Sequence, residues 1–328
     1  REQEAVDILT TAEERFPENP HVKVSLANAY LKAERIDEAR EHMEAAAATS
    51  PDNLSLQLLL ARFYNRVRMD DLAEQVLDTL RKDFPEEIAV HLASAQFLFQ
   101  KRRFQEAETI LKHTREKGLF HPDLFQLLGL LAHTRGARQE ALAQFQEAVD
   151  RYPKDQRSLM LLADYYVFLE DFEKARETYE RIAAQWPDLS PIKAKIGELL
   201  LGERRFGEAE KHIQELLRAD PDYARGYVLK GLLDMRRGEE DQAREEFSRA
   251  LDLDPRSTEG HFYYGLTFLD KQDYKVSLSE MLKALEEDPD SVRVRFTLAY
   301  IYHKTGQLSS AIEELNWVLA NYTNDLKA

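Results

Sequence analysis

No cysteine occurs in the 328 residues, so disulfides, thiolate catalysis and cysteine-ligated zinc or iron–sulfur sites are excluded. That absence fits a cytoplasmic chain and a periplasmic or envelope-associated one equally. Glycine and proline are scarce, at 12 and 11, while alanine, leucine, glutamate and arginine abound; the balance points to an all-helical chain. No apolar run approaches the length of a membrane span, and the N-terminus lacks the apolar core of a signal peptide. An initiator methionine is missing too. Opening on Arg1, the chain reads as a fragment or a processed form, with room for an upstream anchor. Basic residues are the minority, 45 against 60 acidic ones, which argues against nucleic-acid binding through a general positive field. Residues 101–200 hold 16 of each sign, so the ends of the chain carry the imbalance.

The few prolines keep time. Pro17, Pro51, Pro85, Pro153, Pro187, Pro221, Pro255 and Pro289 all fall on a grid of 34 residues, and Leu119 stands where the grid calls for another. Three more columns share the period. Twelve residues before each grid position comes an alanine: Ala5, Ala39, Ala73, Ala107, Ala141, Ala175, Ala209, Ala243 and Ala311, with Ser277 the one interruption. Twelve residues earlier still the side chain is always tiny, as in Ala27, Ala95, Gly129, Gly197, Gly231 and Gly265. Four residues after the alanine it is always large, from Met43 and Leu77 through Phe145, Tyr179 and Phe247 to Leu315.

Small residues on two successive helices predict close crossings, with the large residue filling the space beside them. Leucine in place of Ala175 or Gly197 should then overpack by roughly 1–3 kcal/mol. Turn residues between the columns, Gly136, Gly238 and Gly306 among them, end a first helix where φ becomes positive. Proline closes each unit, since it cannot continue a helix, and Asn19, Asn53, Asp155, Ser257 and Ser291 stand ready to cap the next one. Pro20, Pro122 and Pro191 fall at the first or second position of a unit, where a helix tolerates them. The predicted unit is helix–turn–helix, with about a dozen residues per helix. A chain of this length would ordinarily split into two or three domains, but stacked repeats need only their neighbours to bury an apolar face.

These columns resemble the tetratricopeptide repeat (TPR) superfamily over nearly the whole chain. Full repeats would start at 20, 54, 88, 122, 156, 190, 224, 258 and 292, with residues 1–19 the second helix of an earlier one and 1–328 a single array. The fourth unit position departs from the family's bulky residue in Lys23, Gln57, His91, Lys193 and Arg295. The resemblance implies an all-α, right-handed α-solenoid whose first helices line a concave surface. At the missed beat, Gly118 and Pro122 rewrite the stop while Ala107 and Ala141 keep the register. That is either neutral drift or a changed stacking angle that exposes Leu119 and Phe120 as a contact point.

Chemistry finds little footing. The nine histidines form no HExxH or i, i+4 pair, so the sequence offers no metal site, and no phosphate loop, GxSxG or dinucleotide fingerprint occurs. Carboxylate pairs such as Glu239-Glu240 and Glu286-Glu287 read as solvated charges, because catalysis would need enclosure and a raised pKa. The basic runs Lys101-Arg102-Arg103, Arg204-Arg205 and Arg236-Arg237 lie at turns with acids nearby and read as solvated edges. The expectation is a chain that is not an enzyme and takes no cofactor, metal or nucleic acid.

In the resembled family, unit positions 5, 9 and 12 of the first helix face the groove. The last three repeats place there Val228, Leu232 and Met235; Phe262, Leu266 and Leu269; and Phe296, Tyr300 and His303. Earlier repeats hold a polar centre, for instance Asn28, Arg62, Gln96, Asp164 and Glu198. The apolar strip is either packing between neighbouring helices or a groove for an apolar peptide or amphipathic helix. A chaperone-type carboxylate clamp is not expected, since position 5 is never basic. The last helix, with Ile312, Leu315, Val318 and Leu319, should leave an apolar face bare or pair with another copy. The expected function is a non-catalytic protein-binding scaffold. The long, leucine-rich array also resembles bacterial TPR proteins of envelope assembly and exopolysaccharide export, including exosortase-associated ones. Two alternatives stay open: a regulatory or targeting region of a larger protein, and a purely self-associating array.

Overall fold

A computed structural model describes residues 2–269 and 271–322. Every element it describes is an α-helix, nineteen among those residues. First helices begin at the same unit position each time: α2 (Pro20–Lys32), α4 (Leu54–Arg66), α6 (Ile88–Gln100), α8 (Pro122–Thr134) and α10 (Gln156–Phe168). The later ones are α12 (Ser190–Gly202), α14 (Ala224–Arg237), α16 (Thr258–Leu269) and α18 (Val292–Lys304). Second helices are α1 (Glu2–Arg15), α3 (Ile36–Ala48), α5 (Asp70–Asp83), α7 (Phe104–Glu116) and α9 (Arg138–Arg151). They continue with α11 (Phe172–Gln185), α13 (Phe206–Ala219), α15 (Glu240–Leu253), α17 (Tyr274–Glu287) and α19 (Leu308–Tyr322). The chain forms two compact units, residues 1–162 and 163–328, with the boundary inside α10.

Within each unit the columns do what their sizes require. Ala39, Ala73, Ala107 and Ala141 in the first unit, and Ala175, Ala209 and Ala243 in the second, are wholly buried. A β-carbon built on Gly129 would lie 2.6 Å from Phe145 Cε1, and one on Gly231 2.5 Å from Phe247 Cε1. Opposite Phe145 and Phe247 there is no room for a methyl group and glycine stands there, whereas opposite Leu77 and Leu111 alanine fits, as Ala61 and Ala95. Each filled crossing buries a large side chain, worth about 1.5–3 kcal/mol. At the edges the columns open: Ala5 is exposed, and Leu315 is 40% exposed.

All nine inner turns share one closure. Residues 34, 68, 102, 136, 170, 204, 238, 272 and 306 have positive φ, yet only Gly136, Gly238 and Gly306 of these are glycine. Glu34, Arg68, Arg102, Glu170, Arg204 and Gln272 take φ of 58–64°. The next amide bonds back five residues in each case, as Arg35 to Tyr30 and Glu239 to Asp234, both at 2.9 Å. This Schellman closure satisfies carbonyls that the helix end leaves free, and it outweighs a left-handed penalty of about 1–2 kcal/mol.

The outer turns end differently. Residues just before a grid proline cannot remain helical. Phe84, Tyr152, Trp186, Asp220, Asp254 and Asp288 accordingly sit at φ between −126° and −139°. Asn19, Asn53, Asp155 and Ser257 cap the following helix through their side chains. Ser291 does not; its side chain makes no cap bond. At the missed beat, Gly118 has φ +77° and the Leu119 amide bonds to Thr114 O at 3.2 Å, a Schellman closure in place of the proline stop. His121 Nδ1 then accepts the Asp123 amide at 3.2 Å with Pro122 in the first turn. Leu119 is half-buried, and Phe120 stacks on Phe125 beneath the Arg151 guanidinium, 4.3 Å from the ring centre.

The polar fourth-position residues also find work. His91, Tyr227, His261 and Arg295 each reach the carbonyl of the proline six residues earlier, at 2.9, 3.0, 2.9 and 2.7 Å. Gln57 reaches Ala47 O, and Lys23 pairs with Glu13, both at 3.1 Å. Apart from Lys23, each of these side chains supplies a donor to a backbone carbonyl that the turn leaves outside the helix ladder.

Candidate protein-binding groove

First helices touch one another directly as well as their own partners: α4 with α6 and α6 with α8 in the first unit, α12 with α14 and α14 with α16 in the second. Position 5 of α14 and of α16 is buried at that face. Val228 and Phe262 are buried, at 2% and 8% exposure, Val228 in a cluster with Ala243, Phe247 and Ala250 against which Tyr263 and Tyr264 pack. Phe262 meets the Tyr263 ring edge-on at 5.1 Å, and the Arg293 guanidinium covers it at 4.8 Å. Positions 9 and 12 reach solvent, and on α18 position 5 does as well. Leu232, Met235, Leu266 and Leu269 are half-buried, while Phe296, Tyr300 and His303 are exposed. No first helix among the described residues lies beyond α18, and Phe296 is 51% exposed where its counterparts Val228 and Phe262 are buried; Tyr300 is 47% exposed.

Polar centres occupy the same face earlier in the chain. In the first unit Asn28, Arg62 and Gln96 are exposed, and Asn65 donates to Gln100 at 2.7 Å. In the second unit Lys195 pairs with Asp164 at 2.8 Å, and the Tyr179 hydroxyl donates to the same carboxylate. Burial, then that hydrogen bond, drives the Tyr179 hydroxyl pKa far up. A cleft of about 390 Å³ opens there between Asp164, Val167, Phe172, Lys195 and Glu198. Burial raises the Glu198 carboxyl above the usual carboxylate range, and Arg225, 2.8 Å away, works against that rise. Arg225 and Arg293 each stand 3.6 Å from Glu259, so charges of alternating sign edge the apolar strip. These acids are already matched by cations of the chain, unlike a poised catalytic pair.

The basic turns are neutralised too. Lys101 pairs with Asp70 at 2.6 Å, Arg103 with Glu74 and Glu106, Arg205 with Glu208, and Arg237 with Glu210. Arg102 and Arg204 are the left-handed residues of their turns. Among the described residues no group of three or more histidines and carboxylates is placed to hold a metal ion, and no helix is long and apolar enough to cross a membrane. On α19, Ile312, Leu315 and Leu319 are exposed at 57%, 40% and 56%, whereas Val318 is buried.

Comparison with solved structures finds a thermophilic TPR protein of Thermus thermophilus, 22% identical, with a TM-score of 0.46 over 55% of this chain and 98% of that one. A structure of Pseudomonas aeruginosa pilF is 17% identical, with a TM-score of 0.46 over 61% of this chain and 91% of that one. The Cut9–Hcn1 hetero-tetramer of the APC/C gives 16% identity and a TM-score of 0.49 over 93% of this chain and 67% of that one. Family models described as tetratricopeptide repeat match residues 1–62, 32–96, 132–198, 195–258 and 268–328. With those matches over most of its length, and a helix pair recurring every 34 residues, the chain belongs to the tetratricopeptide repeat family.

Proposed function

We propose that the chain is a non-catalytic scaffold, one array of repeats that presents positions 9 and 12 of its last first helices, joined on α18 by position 5, to a peptide or helix of a partner protein. TPR repeats serve protein interaction in general, and the observation that carries the finer reading is the pair Phe296 and Tyr300. They stand four residues apart on α18, on one face, both about half exposed. Leu232, Met235, Leu266 and Leu269 extend the apolar surface, with His303 at its end, while buried Val228 and Phe262 support it from below. Exposed aromatic anchors typically dominate binding at such patches. The leucine-rich length of the array is what favours a bacterial multiprotein assembly as the setting.

The test is capture of the partner by the intact chain. Phe296→Ala with Tyr300→Ala should cost on the order of 2 kcal/mol or more of affinity and leave helicity unchanged, because neither ring is in the core. Replacing Arg204 and Arg205 with serine should change little. Undiminished capture by the aromatic variant, with loss in the arginine variant, would move the site to the charged edge. The bare stripe Ile312, Leu315 and Leu319 favours a second reading, pairing of two copies through α19. Sedimentation as a monomer at high concentration would rule that out.

A further inference from the structure

His261 and Glu280 face each other inside the repeat built by α16 and α17, each less than a tenth exposed. His261 Nδ1 lies 2.7 Å from Glu280 Oε2, and Nε2 lies 2.9 Å from the Pro255 carbonyl oxygen. A carbonyl oxygen can only accept, so Nε2 carries a hydrogen. The other Glu280 oxygen accepts from Lys283 Nζ at 2.8 Å, and that ammonium favours the ionised carboxylate. An ionised carboxylate also can only accept, so Nδ1 carries a hydrogen as well. A ring that satisfies both acceptors at once must donate from both nitrogens.

Equivalent positions in other repeats act as controls. Arg295 occupies the place of His261 one repeat later and meets the same two acceptors, Glu314 at 2.6 Å and Pro289 O at 2.7 Å. It is a permanent double donor. His91 holds the same register position earlier in the chain and reaches Pro85 O, but its repeat carries Ile110 where the later one has Glu280. There one hydrogen suffices. Tyr227 likewise donates to Pro221 O, and the Glu246 of its repeat is held by Lys230 at 2.5 Å. A double donor stands where the glutamate needs one.

We propose that the repeat spanning 258–291 is a proton-dependent joint, whose α16–α17 contact closes with His261 protonated and loosens when the proton leaves. Without that proton a ring lone pair and a carboxylate oppose each other at 2.7 Å in a largely buried setting, which is costly. The cleft around the pair adds Lys283, Glu286 and Glu287 from α17, Tyr264 from α16 itself and the apolar Leu251 from α15. Arg256, ahead of α16, holds Glu287 at 2.8 Å, leaving Glu280 as the carboxylate bonded to the ring. Acid therefore tightens the joint and alkali loosens it. The device stands independently of the groove, although α16 also carries Leu266 and Leu269.

The experiment compares the full chain with His261→Arg at about pH 5.5 and about pH 8.5, a range across which histidine changes charge. The readouts are thermal unfolding and amide exchange corrected for its intrinsic pH dependence. The parent should lose protection in α16 and α17 and a few degrees of Tm at the higher pH, beyond any change in His261→Arg. Equal pH slopes in the two proteins would overturn the proposal. If His261→Arg does not fold, nitrogen NMR of the parent's His261 ring decides. Hydrogen on both nitrogens at the lower pH and on one at the higher supports the joint; an unchanged count overturns it.

Discussion

Ser277 fills the alanine column at zero exposure, and its hydroxyl has no hydrogen-bond partner. An unsatisfied buried hydroxyl costs about 1–3 kcal/mol. Ser277→Ala should therefore raise stability by about 1 kcal/mol, read as a higher denaturation midpoint at unchanged m-value. An unmoved or lowered midpoint would mean that the hydroxyl is satisfied in solution. The interruption was legible in the sequence, but its cost was not. Helical Ser94 and Thr114 return their hydroxyls to carbonyls four residues back, at 2.9 and 2.7 Å, and nothing in the sequence distinguishes Ser277 from them. The fourth-position departures were visible in the same limited way. That Gln57, His91 and Arg295 are polar is read directly, whereas the carbonyls they reach depend on where the preceding turn lies.

At the scale of the helix and its ends, the grid is a poor guide to residue 119. Restoring the period with Leu119→Pro would look like a repair. In the structure the Leu119 N–H is a donor to Thr114 O, so proline would remove a bond that the glycine closure needs. Leu119→Pro is expected to destabilise by about 1–3 kcal/mol, measured by chemical denaturation. A gain in stability would show that the turn can revert to the extended stop used at Phe84 and Tyr152. Helix starts, the close crossings and the three glycine turns were legible because size and φ leave marks in composition. The six non-glycine left-handed residues were not, since the closure is carried by backbone bonds that any side chain permits. Nor was the division of the apolar strip. Position 5 and position 9 are both apolar in α14 and α16, and only the neighbouring first helix decides that Val228 is buried while Leu232 reaches the surface.

For the molecule as a whole, contacts run between consecutive helices and between neighbouring first helices within each unit. Stability in such an array is a sum of repeat and nearest-neighbour contributions, so damage to one repeat should stay local. Gly231→Ala is a clean probe, because the added carbon would meet the Phe247 ring at 2.5 Å. Overpacking of this kind costs roughly 1–3 kcal/mol. Amide exchange should speed up in α14 to α17, while protection in α2 to α5 stays as in the parent. Adding Phe247→Leu makes room for the new methyl, reproducing the alanine–leucine pairing of Ala95 with Leu111, and should return part of the lost protection. Gly197→Ala supplies the contrast. Its nearest atom would be Leu229 Cδ1 at 3.3 Å, a flexible tip, so it should cost little. Exchange that accelerates uniformly from α2 to α17 in Gly231→Ala would show that the chain unfolds as one cooperative body, and that repeats cannot be treated as separable neighbours.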